Sequence, residues 1–172
     1  IDNSFIETKN LNLYFKTLVA ADGRFSRTRY HANIKYYYHD YQQIAFVFNI
    51  SHSKKHHGVA LERFFPTGPL AILPVNNSKI NQSSIVWTVD TIVATDKKFK
   101  ENFKEEFEKK YDNFFGKLIS LSEVKKYPLN VFSCYDVFKK NIVLIGDACQ
   151  AIHPIAGQGF NLGLRDAFIL AK

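Results

Sequence analysis

A carboxylate followed by a glycine-rich loop is the feature of this chain with the clearest chemistry. The apolar run 142–145 predicts a buried strand that delivers Gly146 and Asp147 to the carboxyl edge of a sheet, where open α/β sheets bind nucleotides. Asp147 is then placed to accept hydrogen bonds from a polyol. Gly157 and Gly159 have no Cβ, so the backbone there can approach a flat ligand closely.

The residues after this loop predict a helix over about 159–172. Its first turn would aim free backbone N–H groups and the positive end of the helix dipole at the same ligand. The site therefore suits a ring that becomes anionic. A Gly-Asp pair after a strand is by itself a common turn, but the 21-residue pattern Gly-Asp-x5-His-Pro-x-Ala-Gly-Gln-Gly-x-Asn-x-Gly-x-x-Asp is far more specific.

That pattern resembles the FAD-dependent aromatic hydroxylases, the family that includes para-hydroxybenzoate hydroxylase. The resemblance is strongest to the ubiquinone-biosynthesis hydroxylases, which oxidise polyprenyl phenols. It implies that Asp147 contacts the ribityl chain of the flavin and that the loop 154–161 lies beside the isoalloxazine ring. Many members have Ala-His where this chain has Cys149 and Gln150. Gln150, at the second of these positions, resembles the residue found in the 2-polyprenyl-6-methoxyphenol hydroxylase branch.

A second motif lies near the start of the chain. The apolar run 13–20 predicts a strand that leads into Ala-Asp-Gly-Arg-Phe-Ser-Arg-Thr-Arg at 21–29, which is similar to the family's Ala-Asp-Gly-x-x-Ser-x-x-Arg motif. In the family this motif is associated with both FAD and NAD(P)H, and a cationic loop that offers hydrogen bonds can hold a pyrophosphate. An isolated Asp-Gly pair, in contrast, is usually a turn. Four residues match the motif: Asp22, Gly23, Ser26 and Arg29.

A third stretch, 62–74, contains Gly-Pro-Leu-Ala-Ile-Leu-Pro and resembles a strand-turn-strand segment of the family's substrate domain. The three motifs follow the family's order, so the resemblance extends over nearly the whole chain. His153 is a weak candidate for a catalytic proton relay and suits a loop-fixing role better; the catalytic group is otherwise unknown. The resemblance implies these cofactor-binding residues: Asp22, Gly23, Arg29, Gly146, Asp147, Pro154, Gly157, Gln158, Gly159 and Asn161.

The charge of the chain could suggest a polyanionic partner. The net charge of +7 comes from dispersed lysines, which disfavours nucleic-acid binding. Attraction to an anionic membrane surface agrees better with a polyprenyl substrate. The sharpest basic patch, 51–58, contains three histidines, but no nearby carboxylate or cysteine completes a metal site, so a solvated loop is expected.

Composition indicates a globular chain. With 46% hydrophobic and 15% aromatic residues, it can bury a core, and no run reaches the roughly 18 apolar residues of a membrane span. Cys134 and Cys149 have no metal-ligand spacing, so we expect reduced thiols, no metal and a cytoplasmic protein. With a lipid-tailed substrate, that protein would contact the inner face of the membrane.

Between the two motifs the pattern becomes that of antiparallel strands. Four segments rich in Tyr, Phe, Val and Ile and bounded by turn residues predict one sheet: 34–50, 59–65, 70–75 and 84–89. Further strands over 120–138 are expected to return to the flavin motif, with Pro128 at an edge or a bend.

One amphipathic helix is predicted after these strands. Thr95 is expected to cap it, and the segment 113–117 to end it. Aromatic residues recur at a spacing of four, which predicts a stripe that packs on the sheet: Phe99, Phe103, Phe107 and Tyr111.

The predicted fold is α/β (α+β). Residues 1–32 and 139–172 are expected to form parts of an FAD/NAD(P)-binding domain, with 33–138 as an inserted, mostly antiparallel substrate domain. The Gly-x-Gly-x-x-Gly fingerprint that binds the ADP half of FAD is absent from this sequence. The chain is therefore interpreted as an internal piece of a larger protein, which alone would bind FAD weakly or not at all.

The resemblance implies a monooxygenase that uses FAD, NAD(P)H and O2 to hydroxylate a polyprenyl phenol in ubiquinone biosynthesis, within a biosynthetic complex or beside the membrane. A lipid-tailed phenol is favoured over a small phenolic acid, because the substrate-domain strands offer only Arg63 as an obvious partner for a carboxylate. Two alternatives stay open. One is a prenyl reductase or halogenase of the same superfamily, and the other is a non-enzymatic binding or assembly module.

Overall fold

The computed structural model describes residues 4–7, 9–76 and 81–172. They divide into two compact units. Unit 1 comprises Ile1–His39 and Asn130–Lys172, and unit 2 comprises Asp40–Leu129. The boundaries predicted from the sequence, after residues 32 and 138, stay a prediction. The unit boundaries fall inside two long strands, where composition does not change.

The strands of the described residues are, in chain order, β1 (Phe5–Glu7), β2 (Asn12–Tyr14), β3 (Leu18–Ala20), β4 (Tyr36–His52), β5 (Leu61–Phe65), β6 (Gly68–Pro74), β7 (Gln82–Asp90), β8 (Leu118–Leu121), β9 (Lys125–Cys134), β10 (Phe138–Lys139), β11 (Ile142–Leu144) and β12 (Gln150–Ala151). The helices are α1 (Arg27–His31), α2 (Thr91–Thr95), α3 (Lys97–Glu101), α4 (Phe103–Tyr111) and α5 (Gly159–Leu170). Short 3-10 turns lie at Gly146–Ala148 and Pro154–Ala156. None of the helices in this described part is long and apolar enough to cross a bilayer.

Unit 1 is organised by a parallel strand pair. β3 and β11 are paired with Ala20 opposite Leu144, and β10 adds an antiparallel neighbour to β11. Because parallel strands end at the same edge of a sheet, the two aspartate motifs that follow β3 and β11 leave the sheet side by side. The prediction of one strand over 13–20 is wrong, since this run divides between β2, which pairs with β1, and β3.

Unit 2 contains the predicted antiparallel sheet. Its strands follow the order β9-β4-β7-β6-β5, and β8 also pairs with β4. The registers place Phe46 opposite Trp87 and Trp87 opposite Leu70, so large apolar side chains from neighbouring strands share one face. Pro128 lies in β9 outside the part that pairs with β12, in agreement with a position at a sheet edge.

The aromatic stripe packs on this face as predicted. Phe107 and Tyr111 are fully buried, and the Phe107 ring lies 4.9 Å from the ring of Phe48. Thr95, however, ends α2, and its hydroxyl donates to the carbonyl of Thr91. The predicted Thr95 cap is therefore wrong. The stripe spans α3 and α4, and their break lies at Asn102.

Asp96 caps α3 in place of Thr95. Its carboxylate accepts the N–H of Phe99 at 2.9 Å, which a threonine one residue earlier cannot reach with the same geometry. Helix α4 ends at Tyr111, where Asp112 takes a left-handed conformation with φ of 53°. The helix thus ends just before the predicted segment 113–117.

The opposite face of the sheet has a different character. Strand alternation puts Val47, Phe64, Ala71 and Val86 on it. These side chains are half-buried or exposed, with Phe64 68% exposed. Residues 43–51 of β4 together with β5, β6 and β7 place no lysine or arginine on this face.

Candidate functional site

The Gly-Asp turn lies directly after β11 in unit 1. Gly146 has φ of 57°, a left-handed conformation that favours glycine. Asp147 follows it in the 3-10 turn, and its side chain is exposed. The Asp147 carboxylate, which is predicted to accept hydrogen bonds from a polyol, is therefore accessible to a ligand.

Helix α5 holds this turn at two points. The N–H of Gly146 donates to Oδ2 of Asp166 at 3.0 Å. Gly163 lies against the same residue, because a Cβ at position 163 would come within 3.3 Å of the Gly146 Cα. That is tighter than ordinary packing, so a side chain at position 163 would push the helix from the turn.

Arg29 connects the two motifs. Its Nη1 donates to the carbonyl of Ala148 at 2.7 Å and its Nη2 to the carbonyl of Arg24 at 2.8 Å. The guanidinium is buried between the rings of Tyr36 and Phe132, at 4.9 and 4.6 Å from their centroids. Such an arrangement stabilises a desolvated cation. That Arg29 also binds the cofactor stays a prediction.

Asp22 organises the first motif. Its Oδ2 accepts both the N–H and the hydroxyl of Thr28, at 3.1 and 3.0 Å. Partial burial acts to raise the pKa of Asp22, but the hydrogen bonds from Ser26 and Thr28 outweigh it and lower the pKa below its usual value. Gly23 has φ of 80° and an open environment, and Ser26 caps α1. Asp22 thus stays ionised at neutral pH.

The loop between the Gly-Asp turn and α5 is open around its glycines. A Cβ added at Gly157 or Gly159 would meet no heavy atom within 4 Å, and Gly157 has φ of 60°. Pro154 begins the 3-10 turn of this loop and is exposed. Gln158 and Asn161 are exposed as well, and the Asn161 amide donates to the Gln158 side chain at 3.3 Å.

His153 fixes the loop locally. Its Nδ1 accepts the N–H of Ile155 at 3.1 Å, which requires the proton to be absent from that nitrogen. Burial lowers the pKa of His153, in agreement with a neutral ring. This is the loop-fixing arrangement that the sequence favoured. A role as proton relay stays a prediction.

These features fit FAD. An exposed carboxylate suits a polyol. Open space at Gly157 and Gly159 suits a flat ring. Helix α5 begins at Gly159, and the side chain of its N-cap residue Gln158 makes no capping hydrogen bond. The structure thus joins Gly146 and Asp147 to α5, and links Asp22, Gly23 and Arg29 to the same sheet edge. The individual cofactor contacts remain predictions.

Three groups that position the site were not recognised from the sequence. Gly163 and Asp166 lie inside the 21-residue pattern and contact Gly146, so the pattern itself was their signal. The third is the carbonyl of Ala148, which accepts a hydrogen bond from the Arg29 guanidinium. Every residue has such a carbonyl, so nothing in the sequence marked it.

The two cysteines belong to the core of unit 1. Cys149 directly precedes β12, and the N–H of Cys134, the last residue of β9, donates to the Cys149 carbonyl at 3.0 Å. Burial, with Cys134 and Asp166 nearby, raises the pKa of Cys149 to about 11, so the thiol is protonated at neutral pH. Within the described ranges, no three His, Cys, Asp or Glu side chains form a cluster that could hold a metal ion.

Comparison with known proteins places these motifs in context. The profile of a family described as FAD binding domain matches residues 9–172. Ubiquinone hydroxylase UbiL of Rhodospirillum rubrum is 36% identical over 159 residues, which are 91% of this chain and 36% of that protein. Ubiquinone hydroxylase UbiM of Neisseria meningitidis is 34% identical over 159 residues, or 91% and 34% of the two chains.

A solved structure shares the fold. The p-nitrophenol 4-monooxygenase PnpA of Pseudomonas putida superposes with a TM-score of 0.75 at 17% identity, covering 94% of this chain and 41% of that one. The chain thus spans between a third and a half of the length of these proteins.

Proposed function

This chain belongs to the FAD binding domain family, and from that premise we propose that the complete protein is a monooxygenase that hydroxylates a polyprenyl phenol in ubiquinone biosynthesis, with NAD(P)H and O2 as co-substrates. The names of the two ubiquinone hydroxylases support the pathway. The second face of strands β4 to β7, on which residues 43–51, 61–65, 68–74 and 82–90 place no lysine or arginine, supports the substrate class.

FAD, when bound, supplies the electron transfer from NAD(P)H and the activation of O2. The chain's own residues bind and orient it. The Asp147 carboxylate accepts hydrogen bonds from the polyol, and the Asp166 and Arg29 contacts hold its turn in place. The N-terminal N–H groups of α5 stabilise negative charge that develops beside Gly159.

The lack of lysine and arginine among residues 43–51, 61–65, 68–74 and 82–90 on the second sheet face carries the substrate proposal. Arg63, the candidate partner for a carboxylate, lies on the helix side of the sheet, where its Nη1 donates to the Lys110 carbonyl at 3.1 Å. The second face has two carboxylates, Glu62 and Asp90, and polar residues such as Asn49 and Ser84 beside the apolar Val47, Ala71 and Val86. A benzoate would find no lysine or arginine on the part of this face formed by residues 43–51, 61–65, 68–74 and 82–90, whereas each buried methylene of a prenyl tail contributes about 0.8 kcal/mol.

A substrate with a prenyl tail partitions into a bilayer. The proposal therefore includes peripheral contact with a membrane, or a place in a ubiquinone-biosynthesis complex that presents the substrate. Either arrangement would let the tail leave the lipid without crossing water.

The test is substrate preference in the complete protein. Oxygen consumption, with the product identified, should show hydroxylation of a prenylated methoxyphenol and none of para-hydroxybenzoate. The reverse preference would remove the ubiquinone-pathway assignment, and a product without inserted oxygen would remove the monooxygenase. Cells that lack the gene should accumulate an under-hydroxylated prenylated precursor.

A matched pair of variants tests the sheet face itself. Ala71→Arg places a cation on that face and should lower kcat/KM for the prenylated phenol at least tenfold, because the charge must be desolvated when the tail binds. Ile92→Arg, at a position 83% exposed on α2, should change kcat/KM little. Equal effects of the two variants would contradict a substrate role for the face.

A further inference from the structure

Two loops of unit 2 are joined to each other at one end of its sheet. The first covers residues 53–60 and the second 112–117. The N–H of Lys54 donates to the carbonyl of Phe115 at 3.0 Å, the N–H of Ser53 to that of Lys117 at 3.1 Å, and the N–H of Lys117 returns to the Ser53 hydroxyl at 2.9 Å. We call these segments the paired loops. They form one surface because these hydrogen bonds fix their spacing.

The paired loops have a buried base. His52 is 1% exposed and stacks on Phe115 with ring centroids 5.2 Å apart. Its Nδ1 lies 2.7 Å from the Lys54 carbonyl and its Nε2 lies 3.0 Å from the Ser83 hydroxyl. Gly116 has φ of 78°, and a Cβ there would come within 2.9 Å of the Lys54 side chain. The backbone under the exposed side chains is thus closely packed.

The exposed side of the paired loops combines cations with apolar groups. Lys54, Lys55 and Lys117 are exposed. Phe114 is 48% exposed, and Ile119, two residues past the second loop, is 66% exposed. Asp112 begins the second loop and lies 3.9 Å from the Arg63 guanidinium, which pairs its charge. The rest of the paired loops, 53–60 and 113–117, contains no aspartate or glutamate.

We propose that the paired loops are the surface through which the complete protein contacts an anionic lipid bilayer. This inference rests on the proposed function, which requires access to a membrane-resident substrate. Clustered lysines are attracted to the negative surface potential of anionic lipids, and apolar side chains beside them can enter the interface between headgroups and acyl chains. A nucleic acid would need a longer cationic track for its phosphates, so the short apolar and basic surface fits a bilayer better.

The experiment is vesicle sedimentation of the complete protein. Vesicles of phosphatidylcholine with about a third phosphatidylserine should bind it, and phosphatidylcholine alone should bind much less. The variant Lys54→Gln/Lys55→Gln/Lys117→Gln should lower the affinity for anionic vesicles about a hundredfold, at about fivefold for each lysine. Phe114→Ser should lower it severalfold without a change in net charge.

The matched control removes the same charge elsewhere in unit 2. Lys97→Gln/Lys98→Gln/Lys100→Gln alters three exposed lysines of α3 and should leave vesicle affinity within about twofold, since surface potentials are screened within a Debye length. Equal losses in the two triple variants would show an effect of net charge alone and overturn the inference. Binding of an RNA duplex in preference to the vesicles would overturn it as well.

Activity on a short-tailed, water-soluble prenyl phenol separates this inference from the proposed function. The paired-loop triple variant should keep wild-type activity on that substrate. Hydroxylation without vesicle binding would overturn the membrane surface and leave the function standing. Vesicle binding that depends on the lysines, in a protein that hydroxylates neither substrate, would overturn the function and leave the surface standing.

Discussion

Unit 1 and unit 2 are each stabilised internally by a different kind of contact. Among the residues that the structure describes, unit 2 buries thirteen apolar residues in one cluster around Trp87 and Phe107, whereas the cluster of unit 1 has five, including Cys134 and Cys149. No residue of α5 is fully buried, and its Phe160 is 78% exposed. Unit 1 relies on individual hydrogen bonds and close glycine contacts. Packing therefore stabilises the sheet unit, and directed polar contacts place the candidate site.

A core truncation in unit 2 should have the largest effect and test the first half of this contrast. Phe107 is fully buried between Phe48 and Tyr111, so Phe107→Ala should lower the free energy of unfolding by about 3–5 kcal/mol. Denaturant titration of the complete protein measures this. Ile92→Ala, on the exposed side of α2, should cost less than about 0.5 kcal/mol. A similar loss in both variants would mean that unit 2 is not stabilised by this cluster.

Arg29 tests the second half of this contrast, that directed polar contacts place the candidate site, because its side chain links the two motifs of unit 1. Arg29→Ala removes two charge-assisted bonds and leaves the Ala148 carbonyl without its donor. Each such bond is worth about 1.5–3 kcal/mol. FAD affinity of the complete protein should fall at least a hundredfold by fluorescence titration. Arg29→Lys should recover it only in part, since one ammonium cannot match the guanidinium fork. The exposed Arg27→Ala serves as the control, and unchanged affinity in Arg29→Ala would exclude the link.

Asp147 sharpens the contrast further, since its replacement should weaken FAD binding and leave the free energy of unfolding unchanged. The side chain is exposed, so Asp147→Ala should unfold at the wild-type denaturant midpoint. Loss of a hydrogen bond to a charged acceptor should weaken FAD binding by about 1.5–3 kcal/mol, or about tenfold to a hundredfold. Titration of the apoprotein measures the dissociation constant. A wild-type constant would remove Asp147 from the site.

The smallest expected effect is a pH dependence that belongs to unit 2. Burial, and to a lesser degree the charge of His56, lowers the pKa of His52 below its ordinary value of 6.5. The unfolded chain then binds the proton more readily than the folded one. The free energy of unfolding should therefore fall as the pH drops from about 6.5 towards the lower pKa of the folded state. Above about pH 6.5, His52 should have no effect on its pH dependence.

Denaturation midpoints at pH 7.5 and below pH 6.5 would show this fall. His52→Gln should reduce the dependence, whereas the exposed His57→Gln should keep it. An identical slope in wild type and in His52→Gln would assign the effect to other groups.

The sequence was a good guide where a pattern is local and periodic. The fourfold spacing from Phe99 to Tyr111 predicted a buried stripe, since helix geometry alone brings those rings to one face. It failed at boundaries, as with Thr95 and Asp96, because either residue can cap and only the local backbone decides. The pairing of Arg29 with the carbonyl 119 residues away could not be predicted, because backbone acceptors carry no sequence signature.

The Gly-Asp turn is anchored at three separate places: covalently to β11, through Asp166 to α5, and through Arg29 to the first motif. Together these connections act at both ends of the turn, Gly146 and Ala148, and restrict its movement. The turn should therefore act as a stationary reference during ligand entry. Any adjustment falls to the neighbouring loop, where Gly157 and Gly159 have free space around them. Adaptation to a ligand would then begin at the ring end of the site and leave the polyol end where it is.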